Sequence, residues 1–266
     1  MLLTFASMAV AGEWVSLHQL GIAAWPTGIP YSVEGEYRLP LGSSDHFLLR
    51  NNHLGLAAQV AINPAFTRGG PELKIEPIAF FDMTLRANGT WYYGSVFTPL
   101  PDPTTAATAD YRREHRDEAV GAGELRLDAN ARLKLKLWRI IAVGDLEARY
   151  HHLEPFSGNF SWYWDSSEMI NLPTEGFSYT SSQMVVGIVQ QGEGDQKLWI
   201  GAMGNWNDCP VTSEDSWRAG PILWWKPSPK PKVPDIVLGS QVWWKSRFHT
   251  PLGPYTFLAL RWDSGS

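Results

Sequence analysis

Residues 133–150 read LKLKLWRIIAVGDLEARY. Leu133, Leu135 and Leu137 alternate with Lys134 and Lys136, the period of two that marks a β-strand with one apolar face. After Leu137 the phase slips by one residue. Trp138, Ile140, Ala142, Leu146, Ala148 and Tyr150 then alternate with Arg139, Asp145, Glu147 and Arg149. A bulge near Leu137–Trp138 produces such a slip, so one long strand is expected over 132–153.

The same period governs most of the chain, and helical spacing is hard to find. Leu54, Leu56, Ala58, Val60 and Ile62 form one apolar set, and Leu73, Ile75, Pro77, Ala79, Phe81, Met83 and Leu85 form another. Leu125 and Leu127 alternate with Glu124, Arg126 and Asp128. The fold class is all-β. Asn88-Gly89 is a tight hairpin signal, and Asp128–Arg132 leaves room for only a few turn residues. Gly192-Glu193-Gly194-Asp195 and the proline-rich Pro227–Pro234 close two more pairs. Twelve strands are expected, near 13–24, 31–39, 52–62, 71–86, 90–97, 121–129, 132–153, 177–190, 196–206, 219–226, 235–247 and 254–262.

Composition narrows the class. With 44% hydrophobic and 18% charged residues, the 266-residue chain has the means to bury a core and is not disordered. No run approaches the ~18 apolar residues of a helical span. The net charge is −5 with no large basic block, so nucleic acid is not an expected partner. A single cysteine, Cys209, excludes an internal disulfide framework and a multi-cysteine zinc site. Neither a cofactor nor a metal is expected. The unusual quantity is 14 Trp, beside 11 Phe and 9 Tyr.

Connection lengths carry the next step. From the fourth strand on, short turns and long connections mostly alternate, the long ones being 98–120, 154–176 and 207–218. Successive antiparallel strands end at opposite rims, so the short turns are expected on one rim and the long connections on the other. With its even strand count and sorted loops, the chain resembles the bacterial outer-membrane β-barrel class. The stretch Glu76-Pro77-Ile78-Ala79-Phe80-Phe81-Asp82, after Ile62-Asn63-Pro64, is similar to segments of uncharacterised barrels of Gram-negative bacteria. The resemblance implies a single antiparallel up-and-down transmembrane barrel of about twelve strands over 12–266. It also implies an outer-membrane location, with the bilayer, lipopolysaccharide and other envelope proteins as partners. Met1–Ala11 reads as a signal-peptide remnant with an Ala9-Val10-Ala11 cleavage pattern, although no basic residue precedes Arg38.

In such a barrel the polar set faces the lumen and the apolar set faces lipid. The expected lumen-facing residues are Glu72, Lys74, Glu76, Asp82, Arg86, Glu124, Arg126, Asp128, Lys134, Lys136, Arg139, Asp145, Glu147 and Arg149, with Glu34, Glu36, Arg38, Lys245 and Arg261 beside them. Their balanced signs favour cross-strand pairing over a charge-selective pore. Trp and Tyr prefer the two bilayer interfaces, and the expected interfacial residues are Trp25, Tyr37, Trp91, Tyr150, Trp206, Trp224, Trp225, Trp243, Trp244 and Trp262.

Chemistry is sparse. His151-His152 followed by Ser157 invites a nucleophile, yet the spacing across Pro155 keeps base and hydroxyl off one strand face. Asp165 and Glu168 make only a weak carboxylate pair. No catalytic residue is assigned. The expected function is a narrow passive channel or a structural barrel subunit of an envelope complex serving secretion, transport or surface motility. The alternative is a secreted, soluble all-β protein that binds or cleaves glycans on exposed Trp.

Overall fold

The computed structural model describes residues 12–24, 27–41, 52–93, 97, 99–101, 114–158, 160–165, 170–192, 196–212, 214–228, 230, 233–245 and 255–263. Its strands are β1 (Glu13–Ala24), β2 (Thr27–Gly28), β3 (Tyr31–Pro40), β4 (His53–Asn63), β5 (Phe66–Ile78), β6 (Phe81–Tyr92), β7 (Pro99–Leu100) and β8 (Ala122–Leu137). They continue as β9 (Ile140–Pro155), β10 (Trp162–Asp165), β11 (Ile170–Pro173), β12 (Glu175–Gln191), β13 (Lys197–Cys209), β14 (Glu214–Lys226), β15 (Asp235–Lys245) and β16 (Tyr255–Asp263). Met1–Ala11, Trp25 and Glu168 lie outside the described residues, as do the side chains of Lys245 and Asp165.

Twelve long strands pair antiparallel in the order β1-β3-β4-β5-β6-β8-β9-β12-β13-β14-β15-β16. The ladder then closes on itself, because β1 pairs β16 from Leu17↔Asp263 to Ala23↔Phe257. Closure removes both free edges of the sheet. At Gly70 and Gly220 a Cβ would overlap the neighbouring strand's carbonyl, that of Ala87 or of Ser240. Only glycine fits where the neighbouring backbone comes that close.

Two hairpins fall elsewhere than the sequence suggested. The expected turn at Asp128–Arg132 is strand: β8 runs unbroken, with Asp128 opposite Arg149 and Arg132 opposite Asp145. The phase slip after Leu137 is the turn itself, and Leu137 pairs Ile140 across Trp138-Arg139. A two-residue loop brings residues three apart onto one face, which shifts the alternation by one just as a bulge does. The Asn88-Gly89 pair also lies inside a strand, opposite Arg126 and Leu125. That hairpin closes at Ala79-Phe80, where Ile78 pairs Phe81, and a bulge between Ile75 and Ile78 restores the phase the turn removes. Both corrections leave the strand number and direction unchanged.

The loop sorting holds only in part. The start of β1 and the end of β16 lie at one rim. The far rim carries the two longest connections, 93–121 and 156–174, but also the short turns 64–65 and 210–213. The expected long connection at 207–218 is this second turn, because β13 extends to Cys209 and β14 starts at Glu214.

Candidate functional site

The inner wall from β3 to β9 is a continuous network of ion pairs. Glu72, its side chain 0% exposed, meets Arg86 Nε at 3.0 Å. Arg86 reaches on to Glu147 at 3.7 Å. Glu147 also accepts Arg126 at 3.0 Å and Arg149 at 2.8 Å. Both arginines bind Asp128, at 2.6 and 3.3 Å. Lys74 pairs with Glu34 and lies 3.6 Å from Glu36. Gly55 stands between them, and a Cβ there would overlap Glu36. Toward the terminus-side rim, Lys134 holds Asp82 at 2.6 Å and Glu76 at 3.9 Å. Near the far rim, Glu124 accepts the Tyr92 hydroxyl at 2.9 Å and lies 3.7 Å from Arg68.

Each buried charge thus faces one of opposite sign, which offsets the desolvation that an isolated charge would suffer there. Arg132, 2.5 Å from Asp145, was missed because its segment was assigned to a turn. Its even number, in phase with Asp128 and Lys134, was the available signal. Arg68 and His53, which lies 3.1 Å from Glu36, were missed as well. Three expected members stand apart from the network, one of them Arg261, exposed on β16. Lys136 is exposed at the rim, and Arg139 lies in the turn with its guanidinium 5.1 Å from the Trp138 ring.

The opposite inner wall carries an apolar cluster on its terminus-side half, with Ser178, Asn207, Ser216 and Gln241 buried beyond it. Val186, Trp199 and Ile222 are buried together, with Met184, Ile188, Met203, Trp224 and Val237 against them. Trp224 therefore faces inward: it lies 5.0 Å from Trp199, and its indole N–H donates to Asp235 at 3.1 Å. Trp243 also faces inward, under the Arg218 guanidinium at 5.1 Å. Both were expected at the interface. Adjacent residues of a strand point to opposite faces, so only Trp225 and Trp244 of these pairs face outward.

A small sheet packs against the inner wall at the far rim. The two long connections supply a three-stranded sheet, β11-β10-β7. Phe97, Tyr163, Ile170 and Leu172 from these connections are buried with Ala122, Leu153 and Cys209 of the wall. Thr212, at the turn after β13, donates to the Asn171 carbonyl at 3.4 Å, and the fully buried His151 contacts the Pro173 carbonyl at 2.7 Å. The contacts of the sheet with the wall run along the arc from β6 to β14. His152, by contrast, faces outward toward Glu175 at 3.4 Å, and Ser157 is exposed beyond the strand end. No base and nucleophile meet here among the described residues.

The outer wall inverts the order of a water-soluble protein. Leu56, Val60, Leu85, Leu127, Leu133, Val185 and Ile200 are exposed, while Glu36, Glu72, Asp128 and Arg149 of the inner face are buried. The fold is a transmembrane β-barrel. Of the aromatic residues expected at the interfaces, Tyr37, Trp91, Tyr150, Trp206, Trp225, Trp244 and Trp262 stand on this outer wall.

No protein-family model and no curated protein matches the chain. Among solved structures, the chain is similar to the beta domain of the Bordetella autotransporter BrkA. The identity is 10%, with 95% of this chain and 99% of that one covered and a TM-score of 0.42. The translocator domain of autotransporter NalP from Neisseria meningitidis matches at 8% identity over 97% and 88% of the two chains, TM-score 0.37. An outer membrane channel from Pseudomonas putida F1 matches at 14% identity over 95% and 94%, TM-score 0.39. At these values the assignment of fold rests on the closed ladder and its two faces.

Proposed function

We propose that the protein is an outer-membrane barrel of a Gram-negative envelope, closed in its resting state and serving as a structural subunit on which other envelope proteins dock. The observation that carries this is the apolar cap at the far rim, buried against Leu153 and Cys209 of the wall. The paired charges of the inner wall support it, since they fill one another's valences and leave no ring of a single sign to select a solute. On this view the inner residues Glu72 to Arg149 hold the wall together, and the outward Trp and Tyr sit at the two interfaces with lipid and lipopolysaccharide around them.

Planar-bilayer recording of the purified full-length protein tests the closed state: the protein inserts and stays silent. A steady conductance from the unmodified protein overturns it. A second function, as a capped narrow channel, has one observation in its favour. Among the described residues the cap strands come from connections 93–121 and 156–174, outside the barrel ladder.

A further inference from the structure

At the terminus-side rim the β8–β9 hairpin outruns its neighbour. β8 pairs β9 as far as Leu137↔Ile140, whereas its pairing with β6 ends at Leu133↔Phe81. Just past that point the Lys134 N–H donates to the Phe80 carbonyl at 2.7 Å. Main-chain groups of a strand point alternately to its two sides. The N–H and carbonyl of Lys136 therefore turn the same way as the Lys134 N–H, and they meet no strand there among the described residues. Unpaired main-chain groups are not tolerated in hydrocarbon, so the tip stands past the apolar band of the wall. Yet Leu135, Leu137, Trp138 and Ile140 are all exposed on it. Lys136 and Arg139 add two cations, neither of them in an ion pair among the described residues.

We propose that the free edge of β8 at Lys136 takes an added strand from another envelope protein, a segment in which apolar and acidic residues alternate. Its main chain pairs Lys136, its apolar side chains cover Leu135, Leu137 and Trp138, and its carboxylates meet Lys136 and Arg139. The inference rests on the docking role proposed above and names the surface and the chemistry of the partner. Lipid would cover the leucines but leave the main chain unpaired, whereas a strand answers both. Charge complementarity then selects an acidic strand over a basic one. β12 also runs on past its last pair with β9, Gly187↔Ile140, but that edge reads Val189-Gln190-Gln191 and carries no cation.

The test places the full chain in lipid nanodiscs, open at both rims, and follows hydrogen exchange at the Lys136 amide by NMR. Two short synthetic peptides serve as probes, one of alternating valine and glutamate and one of alternating valine and lysine. The acidic peptide is expected to slow exchange about fivefold, the protection that one net main-chain hydrogen bond supplies, and the basic peptide to leave it unchanged. Lys136→Glu combined with Arg139→Glu is expected to reverse that preference. Trp138→Asn, which suits the turn, is expected to weaken the acidic peptide about tenfold through the lost indole contact. Should a variant fail to fold, the two peptides compared on the unmodified protein still decide. Equal slowing by both peptides, slowing by neither, or equal slowing at 189–191 of β12 overturns the inference. A steady conductance from the unmodified protein would instead sink the closed structural role, whatever the peptides do.

Discussion

Tyr163 stands edge-on to Phe97, ring centroids 4.9 Å apart, joining the two long connections at the far rim. Phe97 in turn meets Tyr92 of the wall at 4.6 Å. This aromatic chain fastens the cap to β6. Tyr163→Ala removes its cap-side end and is expected to cost the cap about 3–5 kcal/mol, the usual loss for a buried aromatic. The barrel ladder does not depend on it. Hydrogen exchange is therefore expected to rise across 162–173 while β8 and β9 keep their protection. Matching loss of protection in β8 and β9 would mean that cap and barrel fold as one unit.

Glu72 and Arg86 sit opposite each other in the β5–β6 ladder, with no solvent on the carboxylate. Removing Arg86 takes from the buried Glu72 the nearer of its two cations and leaves Lys74 at 3.8 Å. Arg86→Ala is expected to destabilise the barrel by about 3–5 kcal/mol in denaturant titration, and Glu72→Leu combined with Arg86→Leu by much less. Equal losses from the single and double variants would show that packing, not charge, governs the position.

Strand number and wall faces were legible because alternation survives any local error in turn placement. The turns were not, for a reason of phase. A two-residue turn and a bulge each shift the alternation by one, so Trp138-Arg139 was indistinguishable from a bulge. Between Leu73 and Leu85 a bulge and a turn cancel, leaving an unbroken pattern through a hairpin. Asn88-Gly89 was then the best turn signal in view, although Asn88 is buried beside Asp128. The cap was illegible because Phe97, Tyr163, Ile170 and Leu172 show no period, and only tertiary contact brings them together.

Trp138 holds φ of 53° in its hairpin, a left-handed conformation that disfavours a bulky side chain. Its ring is 85% exposed, with only the Arg139 guanidinium over it. Trp138→Asn is expected to keep the turn and to stabilise the barrel in detergent by about 1 kcal/mol, through the lower cost of the left-handed backbone. Equilibrium unfolding checks the sign, and a loss of stability would mean that the indole contributes contacts worth more than the strain.

Val185 lies near the centre of β12, faces outward and is 51% exposed. The bilayer and the soluble glycan-binding alternative give it opposite fates. On a protein in water, Val185→Lys places a charge where water already is, and the change in stability stays within about 0.5 kcal/mol. At the midplane of a bilayer the same lysine must be desolvated or must thin the membrane locally, at about 2–4 kcal/mol. Unfolding in vesicles against unfolding in detergent micelles separates the two outcomes. The bilayer placement requires a large loss in vesicles, with Lys at a rim position such as Trp244 tolerated within about 1 kcal/mol. Equal tolerance at Val185 and Trp244 would leave the exposed leucines and valines without a hydrocarbon partner, and would favour a soluble protein with its apolar surface covered by other means.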